Sequence, residues 1–191
     1  MPNRNNFFKN KKILIYGLGK SGISAFNFLK KKNKVKVFDD DQIKNSNKIL
    51  QKSFIKNNKI KEISFDFIII SPGIDIKNCK LKKLLTKNQS KIITDLDIFF
   101  YTYKDNKSIT ITGTNGKSTS VKLLYDILKN HKKDVRLTGN IGNPILMEKN
   151  IKSNTIFVIE ASSYQIDYSK YFETNIALIL NIAPDHLERH K

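Results

Sequence analysis

The segment Thr110-Ile111-Thr112-Gly113-Thr114-Asn115-Gly116-Lys117-Ser118-Thr119 decides how this chain folds. Its first residues, with Ser108 and Ile109 before them, read as a strand, the glycines open a turn, and a helix follows over about residues 118–129. Strand, glycine turn and helix in that order make a phosphate-binding loop. Successive backbone N–H groups wrap phosphate oxygens, a lysine brings a point charge to the β and γ oxygens, and a hydroxyl reaches Mg2+. The usual pattern has four residues between the glycines, whereas only Thr114 and Asn115 separate Gly113 from Gly116. The spacing fails by two positions while the mechanics survive. Gly113, Thr114, Asn115, Gly116, Lys117, Ser118 and Thr119 are therefore the ATP-binding candidates, against the blander reading of a capping turn.

Downstream, Ile156-Phe157-Val158-Ile159 and Ile176-Ala177-Leu178-Ile179-Leu180 are apolar throughout, the pattern expected at the centre of a parallel sheet covered on both faces. Glu160 follows the first of them, at the carboxyl edge where α/β proteins bind ligands, and its hard oxygens suit Mg2+. Asp185-His186 lies just beyond the second, and Asn140 sits in the turn Gly139-Asn140-Ile141-Gly142, able to face the same cleft. Lys117, Glu160 and His186 are the catalytic candidates. Ser118 and Glu160 are the metal candidates on this pattern.

Upstream, Ile13-Leu14-Ile15-Tyr16 reads as a buried strand that runs into Gly17-Leu18-Gly19-Lys20-Ser21-Gly22. Ile23, Phe26 and Leu29 have helical spacing, and Val35-Lys36-Val37-Phe38 leads into Asp39-Asp40-Asp41. This is a βαβ unit with a dinucleotide-type glycine turn and an acidic residue near the usual spacing of about 20. A nicotinamide enzyme is the customary reading and a ligand-free tight turn the bland one. Residues 42–61 are polar, with helix content left open. Phe67-Ile68-Ile69-Ile70 and Lys91-Ile92-Ile93-Thr94 read as strands, Leu81, Leu84 and Leu85 as part of a helix, and residues 95–100 as helical. The polar stretch 101–107 is the expected boundary between domains at residues 1–103 and 104–191. After it the alternation restarts with a different nucleotide motif where a second dinucleotide-binding half would stand.

The chain has 191 residues, 39% of them hydrophobic and 10% aromatic, enough for a folded core. No apolar run approaches the ~18 residues of a membrane span, so a soluble protein is expected. The start lacks the layout of a secretory signal and Cys79 has no partner cysteine, which fits a reducing cytoplasm. A net charge of +18 raises nucleic-acid binding. The lysines are scattered among Asn and Ile rather than gathered on one aromatic-interleaved stripe, so no nucleic-acid and no membrane partner is expected.

Taken together, the phosphate loop and the blocks Gly139-Asn140-Ile141-Gly142-Asn143-Pro144, Glu160-Ala161-Ser162-Ser163-Tyr164-Gln165 and 181–190 resemble the Mur ligase family, in this order along the chain. Tyr164 stands where the family commonly has Phe. Within the family, the first glycine turn, Ser71-Pro72-Gly73-Ile74 and Asp95-Leu96-Asp97-Ile98-Phe99-Phe100 look like the D-glutamate-adding member. The resemblance implies an α/β fold: a Rossmann-like amino-terminal domain that holds UDP rather than NAD, then the first part of a P-loop-type central ATPase domain. It implies ATP and Mg2+ as cofactors, and UDP-N-acetylmuramoyl-L-alanine and D-glutamate as substrates of an amide-forming ligase of peptidoglycan synthesis, with a monomer expected. The resemblance makes Ser21, Asp39, Asp40 and Asn140 the substrate-binding candidates, and adds His186 to Ser118 and Glu160 as a metal candidate. The family also carries a carbamylated lysine and a third domain beyond the Asp-His block, so this stretch is expected not to complete ligation by itself. An alanine-, diaminopimelate- or dipeptide-adding relative or a folylpolyglutamate synthetase are the neighbouring alternatives.

Overall fold

The structure, a computed structural model, describes residues 7–41, 48–185 and 187. The first half alternates β1 (Lys12–Tyr16), α1 (Lys20–Leu29), β2 (Lys34–Phe38), α2 (Lys48–Ser53), α3 (Asn57–Ile60), β3 (Phe67–Ile70), α4 (Lys82–Lys87), β4 (Ile92–Ile93) and α5 (Asp95–Thr102). Its four strands are parallel, in the order β2-β1-β3-β4. The second half runs β5 (Lys107–Thr112), α6 (Lys117–Asn130), β6 (Val135–Gly139), β7 (Ile156–Glu160), α7 (Ser163–Tyr168) and β8 (Ile176–Ile179), again all parallel, in the order β6-β7-β5-β8.

The period of two in a strand sorts the apolar residues of the first sheet cleanly between its faces. Ile13 and Ile15 of β1, Val35 and Val37 of β2 and Ile69 of β3 pack with Ala25, Phe26 and Leu29 of α1. Leu14, Tyr16, Ile68 and Ile70 face the other layer, with Ile60, Leu81 and Leu85. Helix α1 sits so close to β1 that a Cβ at Gly22 would lie 1.9 Å from the Gly17 carbonyl oxygen, so only glycine fits there.

Helix α5 joins the two halves. Thr94 caps it: the Thr94 hydroxyl oxygen accepts from the Asp97 N–H, and the Asp97 carboxylate accepts from the Thr94 N–H at 2.7 Å. The other Asp97 oxygen accepts from the backbone N–H groups of Lys170 and Tyr171, each at 2.6 Å. Gln165 of α7 donates to Asp95 at 3.4 Å, with the Ser21 hydroxyl also bonded to that carboxyl. Burial pushes both carboxyls above the usual range, against the pull of these donors. Farther along the helix Phe99 meets Phe157 of β7 edge to face at 4.7 Å, and Phe100 meets Phe172 at 5.0 Å. A 3-10 turn over Ile145–Met147 packs against both α1 and α5. Strand pairing thus changes sheets after α5, while one apolar core, containing Ile13, Ile15, Phe99, Phe157 and Ile159, runs through both halves.

Three expectations need amendment. The segment before Asn140 is a full strand, β6, where only a turn was foreseen; its alternating Val135-Arg136-Leu137-Thr138 is the half-buried pattern of a sheet edge. Strand β4 pairs over only two residues because Thr94 is already the cap of α5. Strand β8, expected to be covered on both faces, pairs among the described residues with β5 alone, and Ile176, Leu178 and Ile179 are exposed. No helix among the described residues is long and apolar enough to cross a membrane.

Candidate active site

Because all strands of the second sheet point the same way, its order delivers four loops side by side at one edge. The turn with Asn140 follows β6, Glu160 ends β7, the phosphate loop follows β5, and residues from Leu180 onward follow β8. Glu160 is the last residue of β7, in register with Ile111 of β5 and Gly139 of β6. Its side chain is only 4% exposed, and one carboxylate oxygen accepts from the Ser118 hydroxyl at 2.8 Å. The Asn140 N–H donates to the Glu160 carbonyl at 3.0 Å, which sets that turn against the same strand end.

The Lys117 ammonium folds back over its own loop, donating to the carbonyls of Gly113 at 2.6 Å and Thr114 at 2.8 Å. An ammonium has three N–H donors, so one remains for a phosphate oxygen. The first helical bond of α6 runs from the Ser120 N–H to the Gly116 carbonyl, and the cap residue Gly116 receives no side-chain bond. The N–H groups of Gly116, Lys117, Ser118 and Thr119 are thus the four that a helix start leaves without a helical acceptor. The expectation of a wrap by every amide of the loop is narrowed at one end: the Thr114 and Asn115 N–H groups donate to Asn181, at 3.1 and 2.9 Å. A loop two residues short of the usual pattern leans on its neighbour.

Of the metal candidates, Ser118 and Glu160 come together and His186 lies outside the described residues. Two hard oxygen donors 2.8 Å apart beside the start of α6 fit one edge of a Mg2+ shell whose other positions would be water and phosphate oxygens. Among the described residues no group of three or more His, Cys, Asp and Glu converges as a metal site.

At the carboxyl edge of the first sheet, Asp39 turns back into the glycine loop and accepts from the Leu18 N–H with one oxygen and from the Asp41 N–H, at 3.0 Å, with the other. Asp40 accepts from the Tyr16 hydroxyl at 2.7 Å, and Lys80 donates to the Asp40 carbonyl. Burial, with Asp40 alongside, drives the Tyr16 phenol above its ordinary range. Next to these carboxylates opens a cavity of about 580 Å3 with Phe38, Gln51, Phe54, Asn57 and Lys80 in its wall. The Phe38 and Phe54 rings stack at 6.1 Å and 18°. Asp39 and Asp40 line this cavity; Ser21 does not, being turned toward Asp95. Lys80, Phe54 and Asn181 were not singled out by sequence. Asn181 opens the stretch 181–190, yet what it touches depends on which strand lies beside β5.

Comparison with known proteins covers both halves. The Mur ligase middle domain matches residues 111–191 and the MurD-like N-terminal domain of Mur ligases matches residues 11–94. The UDP-N-acetylmuramoylalanine--D-glutamate ligase of Rickettsia prowazekii is 40% identical over 97% of this chain, and that of Wolbachia pipientis 36% identical over 97%. The chain spans 42% and 37% of the lengths of those two proteins. Among solved structures, UDP-N-acetylmuramate-alanine ligase from Thermotoga maritima superposes with a TM-score of 0.55 at 22% identity, over 94% of this chain and 43% of its own. A Neisseria UDP-N-acetylmuramate:L-alanyl-gamma-D-glutamyl-meso-diaminopimelate ligase gives 0.56 at 16% identity, over 95% and 64%. These two likenesses speak for the fold. With an N-terminal and a middle domain matched in sequence order and relatives aligned along nearly the whole length, this chain belongs to the Mur ligase family.

Proposed function

We propose that the chain is the UDP-substrate domain (residues 1–103) and the beginning of the central ATP domain (104–191) of a cytoplasmic ligase. That ligase adds D-glutamate to UDP-N-acetylmuramoyl-L-alanine in peptidoglycan synthesis, consuming ATP. The observation that carries this reading is the union of Lys117, Ser118 and Glu160 at adjoining ends of β5 and β7. The D-glutamate assignment rests on the names of the relatives and on the MurD-like N-terminal match.

In this reading the alanyl carboxylate attacks the γ-phosphorus and ADP leaves, giving an acyl phosphate. The D-glutamate amine then attacks the acyl carbon, the amide forms, and phosphate and a proton are released. Lys117 and the amides from Gly116 to Thr119 hold the phosphate chain and oppose the charge that gathers on it during transfer. Ser118 and Glu160, joined by His186 through the family resemblance, would hold Mg2+, which supplies further neutralisation of phosphate charge when bound. Asn140, fixed to the Glu160 backbone, orients the substrate between the two sheet edges. The residues thus act by positioning and electrostatics.

The cavity beside Asp39 and Asp40, with its stacked Phe38 and Phe54, suits the uridine end of the substrate. Calorimetric titration of the chain with UDP-N-acetylmuramoyl-L-alanine and, separately, with NAD tests this half of the reading. Saturable binding of the UDP compound and no heat from NAD are expected. Saturable NAD binding without a response to the UDP compound would favour a dehydrogenase-type domain.

A further inference from the structure

Two loops at the active edge are joined backbone to side chain in both directions. The Asn181 side-chain oxygen accepts from the Asn115 N–H at 2.9 Å, while its amide nitrogen donates to the Asn115 carbonyl at 2.9 Å. The Asn181 carbonyl accepts from the Thr114 N–H at 3.1 Å. One residue pair on, the Ala183 N–H donates to the Thr114 hydroxyl at 3.0 Å and that hydroxyl donates to the Ala183 carbonyl at 3.2 Å. The loops are also in steric contact. Gly113 has φ +138°, and a Cβ on it would meet the Asn181 carbonyl oxygen at 3.0 Å and the Leu180 and Asn181 nitrogens at 3.2 Å. A side chain at residue 113 would push the loops apart and strain the backbone.

We propose that Asn181 is a positioning residue for the triphosphate: its side chain acts as a template that holds the short phosphate loop in binding geometry. The inference rests on the ATP reading of that loop. A longer loop closes around phosphate with its own amides. Here only two residues separate the glycines, and their amides face Asn181, so the direction of the donors from Gly116 to Thr119 and of Lys117 is set from outside the loop. A primary amide is the side chain that matches one backbone N–H and one backbone carbonyl of the same residue together. Removal of that pair leaves Asn115 to water and lets the loop sample geometries that do not bind phosphate. The ligand must then bear the cost of ordering it. Asn181 touches no phosphate in this scheme. Its effect reaches the nucleotide through Asn115.

The test compares the wild-type chain with Asn181→Ala and Asn181→Asp. The readouts are calorimetric titration of Mg·ATP and of UDP-N-acetylmuramoyl-L-alanine, and hydrogen exchange at the Asn115 amide. Asn181→Ala is expected to weaken Mg·ATP roughly tenfold and to speed Asn115 exchange, with UDP-compound affinity and melting temperature at wild-type values. Asn181→Asp keeps the acceptor for the Asn115 N–H but sets a carboxylate against the Asn115 carbonyl. It should keep the exchange protection and still lose ATP affinity. Wild-type ATP affinity in Asn181→Ala, or an equal fall in both ligands together with the melting temperature, would overturn the positioning role. Fast Asn115 exchange in the wild-type chain would overturn it independently of any variant. Failure of the wild-type chain to bind Mg·ATP at all would instead sink the ATP reading on which the inference stands.

Discussion

Lys117→Ala is expected to lower the affinity of the chain for Mg·ATP by about 10- to 100-fold, and to leave the melting temperature within a degree or two of wild type. Charge-assisted hydrogen bonds are worth roughly 1.5–3 kcal/mol each, and the ammonium has one donor to spare for phosphate in its observed pose. Its present acceptors, the Gly113 and Thr114 carbonyls, lie in a part-buried loop at the sheet edge, where water can replace the lost donor. The fold therefore loses little. Calorimetry of Mg·ATP and a thermal melt of the same sample make the measurement. Wild-type affinity in Lys117→Ala would remove the lysine from the nucleotide site, and a collapsed melt would make it a structural residue of the loop.

Phe157→Ala carries the largest expected effect on stability. The ring is 0% exposed in β7, packs edge to face on Phe99 at 4.7 Å and lies 6.2 Å from Tyr103, so it binds the second sheet to the helix that ends the first half. Large-to-small changes of this kind cost roughly 3–5 kcal/mol through lost transfer energy and the cavity left behind. Since the apolar core runs through both sheets, the loss should appear as one unfolding transition moved to lower denaturant, with near-unchanged slope. Urea unfolding followed by circular dichroism checks this. Two separated transitions, with only one displaced, would mean that the halves fold independently despite the shared aromatic contacts.

Much of the fold was legible because strong local signals agreed with their surroundings. Ile13 to Tyr16 and Phe67 to Ile70 are unbroken apolar runs ended by glycine or Ser-Pro-Gly, and they became the two central strands of the first sheet. Ile176 to Ile179 looks the same in sequence but, among the described residues, has one strand neighbour, because the number of neighbours of a strand is a property of the sheet and not of the strand. Strand β6 has a weak sequence signal because its Arg136 and Thr138 dilute the apolar run. At the site, Lys117, Ser118 and Glu160 could be read from spacing after a strand, since strand ends in a parallel sheet converge automatically. Asn181 and Lys80 could not: each acts on a backbone atom far along the chain, the Asn115 and Asp40 carbonyls, which no local pattern encodes. Ser21 sits at the start of α1 as the glycine turn implied, yet its hydroxyl serves the buried Asp95 at the junction.

One chain is expected to present two separate nucleotide edges, ATP at the second sheet and the uridine compound at the first. Amide chemical-shift mapping of the isotope-labelled chain tests it most directly, with Mg·ATP and UDP-N-acetylmuramoyl-L-alanine added in turn. Mg·ATP should move the amides from Gly116 to Thr119 and that of Glu160. The uridine compound should move those of Leu18, Gly19, Asp39 and Asp40. Both ligands moving one and the same set, or Mg·ATP moving only the glycine turn of the first sheet, would contradict the account.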